Sequence, residues 1–367
     1  MEDTYLEFLR YCIDDTLKLP VSVKDIDWMD LMDWAECQAI VGVFYQGIER
    51  GCKEQNNQEK LKIPFDDLAE WIGYAYDIKE QNKLVNKRCV EITSAFQKDG
   101  LETCILKGQG NAALYPNPLL RTSGDIDLFV TNKPVKEITR YVRGKNPEGK
   151  ACYHHVHYGD YKDVEVEVHY RPSFANNLIM NRRLQRWFKG HGERCMIDLP
   201  EGAGSIPVPT REFNVVFQLS HIYRHVIQKG IGLRQMIDYY YLLRSANDKW
   251  RMEDGELKNT LKHLKLYNFA RAVMWVLKEV LGMEEKYLIA PVDERKGRLL
   301  LEEIMEGGNF GKRHKSNAKW FNADTTIGRN ILRLKRDIRL FRYFPSECLW
   351  EPIFRLWHFG WRKVHTY

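Results

Sequence analysis

Long apolar runs are missing from this chain: none of its 367 residues falls in a stretch approaching the ~20 apolar positions that a membrane-spanning helix needs. The first residues, MEDTYLEFLRYCIDD, are acidic and helically patterned, without the basic-then-apolar order of a secretory signal. Eight cysteines are scattered along the chain, with no Cys–Cys spacing of a zinc ribbon or a secreted disulfide framework. They are expected to be reduced thiols, mostly in the core. Neither an internal repeat nor a low-complexity segment is present. These absences exclude a membrane span, a disulfide-stapled scaffold and a solenoid, and the expectation is a cytoplasmic protein. With 44% hydrophobic and 29% charged residues the composition is that of an ordinary globular chain, long enough for two or three packed units.

Charge is unevenly placed. Of the net +6, Gly311 to Tyr367 carry 13 Lys/Arg against 4 Asp/Glu, a local +9 that leaves −3 for residues 1–310. In that tail Arg333, Lys335, Arg336, Arg339 and Arg342 lie near Trp350, Phe354, Trp357 and Trp361. The mixture suits an anionic membrane surface or a nucleic-acid backbone, or else an amphipathic helix packed on its own protein with a solvated basic face.

Periodicity divides the chain into four regions. Residues 1–99 read as helices, with apolar positions such as Leu6, Leu9 and Ile13 at helical spacing and Gly100 as a stop. Residues 100–209 read as a small α/β unit. There TCILKG is a strand, GNAALYP a helical turn, DIDLFV a strand and VKEITRYVR a helix; CYHHVHY and DVEVEVHY follow as strands separated by a turn at Gly159-Asp160. RCMIDLPEGAGSIPVP adds a strand pair, Thr210 opens a second helical region to about 306, and the basic, aromatic-rich tail fills 307–367. The fold class expected is α+β, with a small mixed sheet flanked by helices on both sides in the chain.

The tripeptide Asp-Ile-Asp occurs twice, and its context separates the copies. Asp25, Asp27 and Asp30 precede an apolar helical run, where carboxylates cap free amides and meet the positive end of the helix dipole. Asp125 and Asp127 instead sit on a strand, so their side chains point to one face while Ile126 and Leu128 point to the other. Two carboxylates so close repel unless a cation lies between them, and Mg²⁺ is the usual partner of such oxygens, with Mn²⁺ as a substitute. Further along, Glu165, Glu167 and His169 share a face of another strand by the same period. Three carboxylates with an upstream glycine turn, Lys107-Gly108-Gln109-Gly110, suit metal-assisted phosphoryl-group chemistry, the turn offering backbone amides and a lysine to phosphate oxygens.

The stretches LKGQGNAALYPNPLLRTSGDIDLFV, VEVHYRP and HIYRHVIQKGIGLRQMIDYYYLL together resemble the bacterial nucleotidyltransferase family of the DNA polymerase beta-like nucleotidyltransferase superfamily, over about residues 100–245. The resemblance implies a metal-dependent transfer of a nucleotidyl group from an NTP to an acceptor with release of pyrophosphate. By position it implies Asp125 and Asp127 as the metal pair, Glu167 as the third carboxylate, and Gly108 with its neighbours as the phosphate turn. That turn departs from the superfamily's Gly-Ser or Gly-Gly, which leaves a non-catalytic nucleotide-binding or scaffold protein as the rival reading.

Around this centre, Arg121 and Ser123 could contact phosphate, with an internal ion pair as the alternative for Arg121. His169 could touch phosphate or orient a carboxylate. Glu165 competes with Glu167 but lacks the Glu-x-His pattern. His221 with His225, and Arg234 with Asp238, are four apart on helices and share faces, as a buried polar network or as contacts to the cleft.

Overall fold

The computed structural model describes residues 2–53, 61–245, 254–309 and 326–365. Four helices lead: α1 (Glu2–Ile13), α2 (Trp28–Gln38), α3 (Val41–Lys53) and the long α4 (Phe65–Lys98). The start of α2 accounts for the early aspartates. Asp27 accepts from the amides of Met29 and Asp30 at 3.1 and 3.0 Å, and Asp30 lies in the first turn, as the capping pattern implied. Asp25 ends the 3₁₀ turn just before it.

A four-stranded sheet follows, built from β1 (Thr103–Ile105), β2 (Ile126–Val130), β3 (His155–Tyr161) and β4 (Val164–His169) in the order β1-β2-β4-β3. The sheet is mixed: β2 and β4 are parallel, β1 and β3 antiparallel to their neighbours. Short α5 (Gln109–Ala112) links β1 to β2, and α6 (Val135–Lys145) carries the chain from β2 to β3. After α7 (Leu178–Gly190) comes the separate hairpin of β5 (Arg194–Asp198) and β6 (Ser205–Pro209).

Strand alternation sorts the two sheet faces. Ile126, Leu128, Val156, Val166 and Val168 are almost fully buried in one apolar cluster with Val85, Cys89, Ile92 and Phe96 of α4. Because the period is two, Asp127, Glu167 and His169 must turn the other way. Thr210 then caps α8 (Arg211–Gln228), followed by α9 (Leu233–Arg244), α10 (Asp254–His263), α11 (Tyr267–Trp275) and α12 (Glu294–Gly307). These pack with α1–α3 in a second cluster, where Phe8, Phe44 and Trp71 join Phe217, Tyr240 and Phe269. The helix α4 belongs to both clusters and ties the sheet to the helices.

Two sequence expectations are corrected. The reversal between β3 and β4 is at Lys162-Asp163, not at Gly159-Asp160. Gly159, at φ 82°, absorbs a register shift inside β3, and glycine tolerates that conformation in a bulge as readily as in a turn. Lys162 takes φ 63°, and Arg88 of α4 holds both Asp163 oxygens at 2.6 and 2.7 Å, which fixes the tip.

The tail forms α13 (Thr326–Phe341) and α14 (Pro345–His365), and its polarity differs from an apolar face inward with a basic face outward. Arg336 and Arg339 turn toward Glu303 of α12, at 3.7 and 2.5 Å, and Arg339 also reaches Glu306. Leu334, Ile338, Leu349, Ile353 and Leu356 are exposed, while Leu340, Phe344, Cys348 and Phe354 face inward. The acids of α12 draw the arginines in, because an ion pair offsets the cost of burying a cation. The Lys335 side chain and the basic residues of 311–324 lie outside the described residues. No helix among the described residues is long and apolar enough to cross a membrane.

Glu347 anchors α14 by accepting from the amides of Asn176 at 2.7 Å and Asn177 at 3.2 Å. Burial pushes its pKa up to about 7 against the pull of these amides. Between the unfolded carboxyl pKa and about 7, the folded chain keeps a proton that the unfolded chain has lost. The stability contributed by this group is therefore complete below the unfolded value and falls as pH rises toward 7. Urea unfolding at pH 5 and pH 8 is expected to show a decline for the wild type relative to Glu347→Gln; a difference independent of pH would disprove the linkage.

Candidate active site

Residue register brings the acids together. In the parallel pair β2/β4, Asp127 lies opposite Glu167 and Phe129 opposite His169. In the antiparallel pair β3/β4, His155 lies opposite His169 and His157 opposite Glu167. Hence one sheet face presents Asp127, Glu167, His169, His155 and His157 side by side. Glu165 pairs instead with Asp160 near the hairpin tip and is exposed. That distinguishes it from Glu167 for a reason the shared strand period alone does not supply.

Asp127 is the centre. Only 3% exposed, it has Lys107 Nζ 2.9 Å from Oδ2 and His169 Nε2 2.8 Å from Oδ1. Burial opposes its charge, but Lys107 and His169 outweigh that and hold its pKa below the usual carboxylate value. Glu167 lies 3.4 Å from His169 Nε2 and 3.0 Å from His155 Nδ1; burial raises its pKa, and the histidine contacts overcome this and hold it well below normal. The partners respond in kind. For His169, burial favours the neutral ring, yet the two carboxylates raise its pKa to about 9, so it is an imidazolium at neutral pH. Lys107 is likewise held above its ordinary value against burial, by Asp127, Asp125 and Glu167.

Asp125 stands just before β2 and is half-buried. Repulsion from Asp127, then burial, raises its pKa to about 6. Gly108, at φ 57°, brings the turn close: a Cβ there would lie 3.9 Å from the Asp125 carbonyl oxygen. Ser123 occupies the half-buried approach to the same strand.

The rest of the expected phosphate-binding set points elsewhere. Gln109 is buried against α4, its amide group donating to Asn82 at 3.3 Å and to Asn86. Gly110 gives room to Val208, which would stand 3.1 Å from a Cβ. Both are packing residues of the turn. Arg121 adopts the internal ion pair: only 4% exposed, it donates through Nε and Nη2 to the two oxygens of Asp238, each at 2.7 Å. Tyr115 donates to the same carboxylate at 2.7 Å, and Arg234 to the Thr122 carbonyl at 3.0 Å. With its planar donor fork engaged, Arg121 is withdrawn from the phosphate-contact set.

Sequence reasoning passed over the histidines of β3 and the arginine of α8. His154 Nε2 lies 2.7 Å from Arg224 Nη1, Arg224 Nη2 3.1 Å from His225, and His225 3.1 Å from His221. Burial pushes His154, His221 and His225 well below the usual histidine pKa and Arg224 down to about 10. His221 and His225 thus form part of a buried polar network lying over the carboxylates. The signal was available in YHHVH, where His155 and His157 alternate onto one strand face.

A divalent ion is compatible with these groups. Among the described residues, the buried Asp127 oxygens are held by cationic partners alone, Lys107 Nζ at 2.9 Å and His169 Nε2 at 2.8 Å, and a divalent ion would take the place of that positive charge. Ligand atoms of Asp127, Glu167 and His169 lie within 4.8 Å of one another; Asp125 joins no such group among the described residues. The two carboxylates suit Mg²⁺; His169 Nε2 would become a ligand only on losing the proton it shares with them, and an ion that displaces that proton would be Mn²⁺ or softer.

Comparison with known proteins assigns the chain to a family. Residues 24–282 match the family described as "uncharacterised nucleotidyltransferase". The chain belongs to that nucleotidyltransferase family. No curated protein matches it. A solved structure, an antigenic nucleotidyltransferase-like protein from Paracoccidioides brasiliensis, is 14% identical, covering 58% of this chain and 94% of that one with a TM-score of 0.35. The family match spans the sheet, the carboxylates and helices α8 and α9, together with most of the N-terminal helical region.

Proposed function

We propose that this nucleotidyltransferase-family chain moves a nucleotidyl group from an NTP to an acceptor nucleophile, with pyrophosphate leaving, through a site in residues 100–209 and a divalent ion held by Asp127 and Glu167. The observation that supports this most is the pairing of Asp127 with Glu167 across parallel strands, which sets two carboxylates side by side on one sheet face with ligand atoms within 4.8 Å of each other and of His169. Mg²⁺ or Mn²⁺, when bound, would screen the triphosphate and the charge developing on pyrophosphate. Asp125 stands as the outer carboxylate of the pair, on the solvent side. His169 orients Asp127 and Glu167 by lying against both. Lys107 would offer its ammonium to a phosphate oxygen, and Gly108 would let the nucleotide approach the backbone beside Asp125.

One observation favours a non-catalytic nucleotide-binding protein. Lys107 is already 2.9 Å from Asp127, an internal cation that neutralises the carboxylate in place of a metal. Turnover separates the two readings. With labelled NTPs, Mn²⁺ or Mg²⁺ and a pooled acceptor library, the wild type is expected to release pyrophosphate. Glu167→Gln is expected to lower release by about a hundredfold, on the several kcal/mol that a catalytic metal contributes. Glu165→Gln should leave it within a few-fold. NTP binding without pyrophosphate release across the library would establish the non-catalytic reading, and loss of activity in Glu165→Gln alone would refute the placement of Glu167.

A further inference from the structure

From the geometry at the end of β3 we infer a second, chemically distinct metal site, a zinc-type site made by Cys152 Sγ, His155 Nε2 and His157 Nε2. It uses none of the Asp127 oxygens, and its donors are soft and borderline ligands where the other site offers mainly hard oxygen.

The three ligand atoms lie within 4.8 Å of one another. The two Nε2 atoms are 3.2 Å apart, and Cys152 Sγ is 4.0 Å from His157 Nε2. With Zn–N near 2.05 Å and Zn–S near 2.3 Å, tetrahedral coordination needs N···N of about 3.3 Å and S···N of about 3.6 Å. The nitrogen pair already has that separation, and a small rotation of the Cys152 side chain supplies the rest. Chain spacing explains the convergence: in Cys-x-x-His-x-His the two histidines alternate onto one face of β3, and the cysteine lies just before the strand.

A second observation concerns how the imidazoles are turned. His155 Nδ1 lies 3.0 Å from Glu167 Oε2, and His157 Nδ1 lies 3.9 Å from Glu167 Oε1. Each ring therefore presents Nδ1 to one carboxylate and Nε2 to the shared point. A proton on Nδ1 facing a carboxylate leaves Nε2 as a lone-pair donor, the arrangement by which carboxylates fix the tautomer of metal-ligating histidines. His157 is 39% exposed in its side chain, which provides a path for the ion and room for water as a fourth ligand.

The consequence reaches the proposed transfer site. An ion on the Nε2 side of His155 and His157 would hold their Nδ1 atoms against Glu167 and so fix its carboxylate. This part of the inference depends on the role given to Glu167 above, whereas the existence of the zinc-type site does not.

Cobalt(II), a spectroscopic substitute for Zn²⁺, tests it on the full-length chain after removal of bound metal with a chelator. Titration should give one tetrahedral Co²⁺ per chain, with a thiolate-to-metal charge-transfer band in the near ultraviolet. Cys152→Ser should remove that band, and His157→Gln should weaken Co²⁺ at least about tenfold. Glu167→Gln should keep the band but weaken affinity about tenfold, the scale of losing a carboxylate that orients a ligand. Asp127→Asn should leave the band unchanged, which separates this site from the transfer site. If Cys152→Ser does not fold, as judged by its circular dichroism melt, the His157→Gln titration decides. Absence of a charge-transfer band in the wild type, its persistence in folded Cys152→Ser, or undiminished affinity in His157→Gln would overturn the proposal.

Discussion

Asp127→Asn is expected to reduce metal-dependent pyrophosphate release by about a thousandfold or more, the largest effect of any single substitution in the chain. Asparagine keeps the shape of the side chain but removes the charge that Lys107 and His169 neutralise and that a divalent ion would use. A thousandfold corresponds to roughly 4 kcal/mol of transition-state stabilisation, within the several kcal/mol attributed to a catalytic metal. NTP docking should change less, because Lys107 and the turn at Gly108 remain; the loss should appear in kcat before KM. Calorimetry with Mn²⁺ should show weaker binding in the same variant and none of this change in Asp27→Asn, whose carboxylate only caps α2. Mn²⁺ affinity and turnover equal to wild type in Asp127→Asn would remove this carboxylate from the site.

The second large effect is on stability. Asp238→Ala is expected to destabilise the protein by about 3–5 kcal/mol, because it leaves the Arg121 guanidinium buried without its counter-charge. The pair joins the segment entering β2 to α9, with Tyr115 on the same carboxylate, so the loss also loosens the approach to Asp125. Replacing both charges, as Arg121→Met with Asp238→Leu, should recover most of the stability, since well-packed apolar groups often match a buried ion pair. Urea midpoints for Arg121→Met, Asp238→Leu and the double variant complete the cycle. A single-variant loss below about 1 kcal/mol would mean that water reaches the guanidinium.

Much of the site was legible because strand alternation is a local property. Asp127 and Glu167 each stand among β-branched or apolar neighbours with a period of two, so the face that carries them follows from the sequence. The cap at Asp27 was readable for the same reason, since a carboxylate before an apolar helical run acts within three residues. Less local questions were not decided there. Arg121 finds Asp238 across 117 positions, and Gln109 finds Asn82 and Asn86 on a helix that ends before β1 begins. Cysteine spacing alone does not show the convergence of Cys152 with His155 and His157, because it depends on how the segment before β3 folds back beside the two histidines.

By itself, then, the sequence determined which residues share a strand face, which aspartate caps a helix and where the helices give way to a sheet. Those outcomes depend on backbone geometry and on neighbours a few residues away. Only the tertiary structure decided that Asp127 and Glu167 are register partners, that Arg121 is taken up by Asp238, and that Arg336 and Arg339 of α13 pair with Glu303 of α12. Each of these depends on which charge lies nearest once distant segments are packed, and in a buried setting an ion pair formed between elements overrides the solvation that a charge-rich sequence would otherwise imply.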